Sequence, residues 1–138
     1  MNSVKRQVLV ADGDVLSRKS IRQLLSLQEK LEICAEASDG PEAIKKARKC
    51  RPDLTILDIS ILGLEGIEAC EKIREACPEA AVLAISFYDP KLVIEQMIRA
   101  QIRGFVSKLY IGSQLLPAVD AILEGGTYFR LATAKAAS

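Results

Sequence analysis

The chain has 138 residues, 49% of them hydrophobic, enough for one core of single-domain size. Nineteen basic and eighteen acidic residues leave a net charge of +1, without the basic excess by which nucleic-acid binders hold phosphates. Histidine is absent, which excludes Ser-His-Asp triads, Cys-His dyads and most transition-metal sites, and denies the chain a phosphohistidine of its own.

Gln7-Val8-Leu9-Val10-Ala11-Asp12 is an apolar run of the kind buried on both faces of a parallel sheet. Ile21, Leu24, Leu25 and Gln28 then recur at helical spacing, which predicts a first helix over about 15–28 with Asp14 as its cap. Residues 31–37 read as the second strand. Asp39-Gly40-Pro41-Glu42 starts the second helix, with Pro in the first turn and an acid complementing the dipole, and Pro52 stops it after Arg51. Residues 53–58 form the third strand. A loop through Ile61, Leu62, Gly63 and Gly66 leads to a third helix with Cys70, Ile73 and Cys77 on one face.

Residues 80–86 read as the fourth strand, and Asp89-Pro90 caps a fourth helix running to about Gln101. Residues 104–108 complete a fifth strand. Ser113 is expected to cap the last helix, whose inner stripe is Leu115, Ala118, Val119 and Ile122 before Gly125-Gly126 ends it. The domain is expected over residues 1–130, with 131–138 as a tail, disordered or extending a helix. Cys34, Cys50, Cys70 and Cys77 form no C-x-x-C pair and read as small buried hydrophobes. No membrane span and no signal-peptide apolar region is visible, so a cytoplasmic protein is expected.

Five strands alternating with five helices predict an α/β, flavodoxin-like doubly wound sandwich with a five-stranded parallel sheet. In the strand order 2-1-3-4-5, the strands ending in Asp12, Asp58, Ser86 and Lys108 are contiguous, and their polar ends converge at the carboxyl edge. Singly, Asp58 reads as a strand-end cap, Lys108 as a surface residue with a buried stem and Phe105 as ordinary core. Gathered at one edge, two acids, a hydroxyl and an ammonium suit a divalent cation and a phosphoryl group.

With these motifs in order, the chain resembles a response-regulator receiver domain from Arg6 to about Arg130. The resemblance rests on Val-Ala-Asp-Gly-Asp with Arg18 downstream, Pro-Asp-Leu-Thr-Ile-Leu-Asp ending at Asp58, Ala-Ile-Ser ending at Ser86, and Gly-Phe-Val-Ser-Lys ending at Lys108. Leu-Glu-Gly-Gly-Thr-Tyr-Phe is similar to the end of receivers in NarL/LuxR-type transcription regulators, in which a helix-turn-helix domain follows. The resemblance implies two-component signalling in which Asp58 takes a phosphoryl group from a sensor histidine kinase or a small acyl phosphate. It implies Mg²⁺ held by Asp12, Asp58 and the Ser60 backbone carbonyl, with Asp14 as a supplementary ligand candidate whose preferred reading is still the helix cap. Lys108 would pair with the phosphoryl group, Ser86 would hydrogen-bond it, and Phe105 takes the position of the aromatic switch.

The output face of such domains is the fourth helix, fifth strand and fifth helix. Here Leu92, Val93, Ile94, Met97 and Ile98 make an arc broader than one buried stripe, which suits a downstream effector, an output domain or a second copy of the chain. Neither nucleic acid nor membrane is an expected direct partner. Three departures stand out: Gly13 replaces the family's second acid, which weakens the expected metal site; Phe87 replaces a commonly small residue; Ile61-Leu62 and Leu109 replace a Met-Pro and a Pro.

Two other readings compete with it. A degenerate receiver would bind partners without phosphorylation, as Gly13 suggests. A haloacid-dehalogenase-type phosphatase is suggested by Asp12-Gly13-Asp14, against Val15-Leu16 where Gly-Thr is expected and with no acid pair after Lys108. A flavin module is weaker, for want of a Ser/Thr-rich phosphate loop after the first strand.

Overall fold

The computed structural model describes residues 4–61 and 66–130, with the side chain of Leu92 excepted. The expected tail over 131–138 and the Leu62 and Gly63 part of the expected loop lie outside the described residues. The elements run β1 (Arg6–Ala11), α1 (Val15–Leu25), β2 (Leu31–Ala37), α2 (Gly40–Cys50), β3 (Leu54–Asp58), α3 (Gly66–Ala76), β4 (Ala81–Ser86), α4 (Ile94–Arg99), β5 (Gly104–Ser107), α5 (Ile111–Leu123) and β6 (Tyr128–Phe129).

All strand pairs are parallel, in the order β2-β1-β3-β4-β5-β6. The sheet therefore has six strands rather than the five expected. The addition is held by the Tyr128 amide donating to the Arg103 carbonyl at 2.9 Å, while the Arg103 guanidinium donates to the Gly125 and Gly126 carbonyls. These bonds turn the chain back along β5, and a two-residue strand is too short to show an apolar period.

β3 is buried along its whole length, as the near-continuous apolar run of a central parallel strand requires. One core cluster joins α2, α3 and α4 to one sheet face through Ile44, Ala47, Ile73, Met97 and Phe105. A second joins α1 and α5 to the other through Ile21, Leu25, Leu115 and Val119.

Asp14 caps α1, accepting from the Leu16 and Ser17 amides, and Asp39 caps α2 by accepting from the Glu42 amide at 2.7 Å. Both caps match the expectation, although α1 ends at Leu25 and not near Gln28. The fourth helix differs more. Asp89 caps a single 3₁₀ turn over Pro90–Leu92, and α4 proper is six residues long and ends before Gln101, which sits at φ 62°. Nor does Ser113 cap α5. Ser107 accepts from the Leu109 amide and starts a 3₁₀ turn over Lys108–Tyr110, so α5 opens at Ile111 and the Ser113 hydroxyl donates back to the Tyr110 carbonyl. Cys70 and Cys77 are buried as expected, whereas Cys34 and Cys50 are only partly so. Burial pushes the thiols of Cys34 and Cys70 up to about 12, so neither is a ready nucleophile near neutral pH.

Candidate functional site

β1, β3 and β5 deliver three charged side chains to one point at the carboxyl edge. The Lys108 ammonium lies 2.6 Å from Asp58 Oδ2 and 2.7 Å from Asp12 Oδ2. Asp12 is fully buried, while Asp58 and Lys108 are each 8% exposed. Two carboxylates and one ammonium leave a net charge of −1 in a site with little water, where electrostatic interactions are stronger than at the surface.

Backbone groups fix both acids. Asp58 Oδ1 accepts from the Ser60 amide and Asp12 Oδ1 from the Asp14 amide, each at 2.8 Å. The Asp12 carbonyl accepts from Arg18 Nη1 at 2.6 Å, so α1 anchors the end of β1. That role of Arg18 was not read from the sequence, although an arginine in the first turn of α1 was the available signal. Burial is the largest single influence on Lys108 and lowers its affinity for a proton, but the contacts with Asp12 and Asp58 together outweigh it and raise its pKa above 10.5.

Ser86 is buried at the end of β4 and pairs in register with Ser107, one step beyond the pairing of Asp58 with Ile85. Its Oγ accepts from the Tyr88 amide at 2.9 Å, which leaves the hydroxyl proton available for another acceptor. Phe105 is buried between its register partners Ala84 and Phe129. Asp14 is occupied as the α1 cap, at the rim of a depression that Leu16, Ser17, Phe87, Lys108 and Ile111 also line. Ile98 is exposed, whereas Ile94 is half-buried against the core on the α2, α3 and α4 side. The structure thus brings Asp12, Asp58 and Lys108 into direct contact; Asp14 joins them through its backbone amide while its side chain caps α1, and Ile94 and Ile98 lie on the α4 side.

Asp12 Oδ2 is buried and, despite its proximity to the ammonium, has no aligned hydrogen-bond partner. A buried carboxylate oxygen with free lone pairs beside a second carboxylate fits a hard divalent cation that keeps several of its waters. Among the described residues no group of three or more Cys, Asp or Glu side chains is placed to hold a metal ion.

Residues 8–120 match the family model described as the response regulator receiver domain. The chain belongs to this family. The receiver is 33% identical over 123 residues to the oxygen regulatory protein NreC of Staphylococcus epidermidis, an alignment covering 88% of this chain and 56% of that protein. It is 26% identical over 128 residues to the transcriptional regulatory protein DegU of Brevibacillus brevis, covering 93% and 54%. This receiver spans little more than half the length of these curated relatives. A crystal structure of a LuxR-family two-component response regulator from Aurantimonas sp. SI85-9A1 superposes with a TM-score of 0.84 at 27% identity, over 90% of this chain and 89% of that one. Receivers are signalling domains, and none of these similarities favours the phosphatase alternative. No described helix is long and apolar enough to cross a membrane.

Proposed function

We propose that this receiver accepts a phosphoryl group on Asp58 from a phosphohistidine of a sensor histidine kinase. The observation that carries the reading is the contact of Lys108 with both Asp58 and Asp12 in a buried site at the carboxyl edge of the sheet. In the transfer a carboxylate oxygen of Asp58 bonds to phosphorus, the P–N bond of the donor breaks, and the imidazole leaves with a proton from solvent. The Ser60 amide holds one Asp58 oxygen and orients the other. Lys108 then shifts from carboxylate to phosphoryl oxygen, and the Ser86 hydroxyl donates its free proton to the same group.

Receiver domains generally hold Mg²⁺ here. Asp12, Asp58 and the Ser60 carbonyl would bind it, and when present it neutralises charge developing on the phosphoryl oxygens. Gly13 supplies no carboxylate, so the ion would have fewer protein oxygens to hold it. Downstream, the face of α4, β5 and α5 around Ile94 and Ile98 would meet an output domain or a second copy, in keeping with the greater length of the relatives.

Phosphoramidate with Mg²⁺, followed by intact mass, tests the reading: one phosphoryl group is gained, and the gain is lost in Asp58→Asn. Gly13 supports a second reading, binding of partners without phosphorylation. Beryllofluoride that fails to bind, together with no mass gain at any Mg²⁺ concentration, would establish that reading in place of the first.

A further inference from the structure

Phe87 follows the fully buried Ser86 yet is 58% exposed, and its ring centroid lies 5.3 Å from the Lys108 ammonium. A cation within about 6 Å of an aromatic face is attracted by the negative face of the ring, and the attraction grows as water is removed. Lys108 is buried, so its ammonium is bounded by Asp12, Asp58 and an aromatic face. Together with Leu16 and Ile111, Phe87 also lines the depression that reaches Lys108.

We infer that Phe87 is a positioning residue whose ring face holds the Lys108 ammonium on Asp12 and Asp58. The resting position of Lys108 is thereby stabilised, and its shift onto an incoming phosphoryl group is slowed. The ring acts on phosphoryl transfer through Lys108 rather than by touching the donor. The kinetic part of the inference rests on the proposed function, and the resting geometry does not.

Four forms of the protein separate attraction from bulk: wild type, Phe87→Trp, Phe87→Leu and Phe87→Ala. Because Phe87 is half-exposed, none of the replacements threatens the fold. The ¹H–¹⁵N resonance of the Lys108 ammonium is expected to be ring-shifted in wild type and Phe87→Trp, and to lose that shift in Phe87→Leu. An unshifted wild-type resonance, or one unchanged in Phe87→Leu, overturns the inference.

Phosphoramidate supplies the second measurement; Asp58 bonds to phosphorus, the donor P–N bond breaks and ammonia leaves. Phe87→Leu should react roughly 3- to 10-fold faster than wild type, and Phe87→Trp within about twofold of it. If Phe87→Leu matches wild type and only Phe87→Ala is faster, the ring is a mere obstacle and the inference is wrong. Should no form take up phosphorus, the proposed function fails, and the ammonium resonance still decides the position of Phe87.

Discussion

At the scale of single residues, the site behaves as two acids sharing one cation, which makes its members unequal. Lys108→Met leaves two carboxylates facing each other with little water and should destabilise the fold by about 3 kcal/mol. Asp58→Asn leaves Lys108 paired with Asp12 and keeps an acceptor for the Ser60 amide, so its cost should stay within about 1 kcal/mol. Urea denaturation of the two variants checks the order, and equal losses would contradict a shared cation. The raised pKa of Lys108 means that the folded state holds its proton more tightly than the unfolded chain does. The ammonium's contribution is therefore complete below pH 10.5 and fades as pH rises through the higher folded value. In metal-free buffer the stability gap between wild type and Lys108→Met should stay constant up to about pH 10 and close above it.

Gly13 offers the complementary change. A Cβ there would lie 3.3 Å from the Ser38 carbonyl oxygen, a fit that asks a few tenths of an ångström of the neighbouring backbone. Gly13→Asp would add a third carboxylate and should tighten Mg²⁺ binding by on the order of tenfold, measured by calorimetry. Unchanged affinity would mean that the edge of β1 does not face the ion. Asp12, Asp58 and Lys108 were legible in the sequence because each ends an apolar strand, and strand order alone makes such ends neighbours. The partnership of Phe87 with Lys108 was not, since an aromatic after a strand carries no sign of where its ring turns.

Among the elements, β1 to β5 and the first three helices follow from apolar period, with caps at α1 and α2, and apart from the earlier end of α1 the deviations fall after β4. A run of apolar residues over 92–98 reads as one helix started by Asp89 and Pro90, yet the chain makes a single 3₁₀ turn there and Val93, at φ −125° and ψ 4°, breaks it from α4. What remains for α4 is six residues without a side-chain cap, too short to be stable apart from its packing. β6 was missed for the opposite reason: its pairing depends on Arg103 bonds across 22 and 23 residues of sequence. Gly104 makes that strand possible, because a Cβ at this position would lie 2.7 Å from the Tyr128 carbonyl oxygen and 2.9 Å from Ile122. Gly104→Ala should push β6 off β5 and cost about 1–3 kcal/mol. Hydrogen exchange reads it directly, through loss of protection at the Tyr128 amide, with β1 and β3 amides unaffected.

For the molecule as a whole, the proposed phosphoacceptor edge and the face formed by α4, β5 and α5 share β5. Ser86 closes β4, Lys108 follows β5, and Phe105 of β5 belongs to the core that also holds Met97 of α4. Under the proposed phosphorylation, a new charge at Asp58 drawing Ser86 and Lys108 inward would pull on the strands that share a core with α4, a six-residue helix without a side-chain cap. Ile98 is 59% exposed on that helix, so Ile98→Asp should leave the unfolding midpoint nearly unchanged, within about 0.5 kcal/mol. The same variant should abolish any self-association that beryllofluoride or phosphoramidate induces in wild type, measured by sedimentation velocity with Mg²⁺. If the phosphorylated variant associates as strongly as wild type, the switch leaves the domain by another face, with α1 and the exposed Leu109 and Tyr110 the next surface to probe.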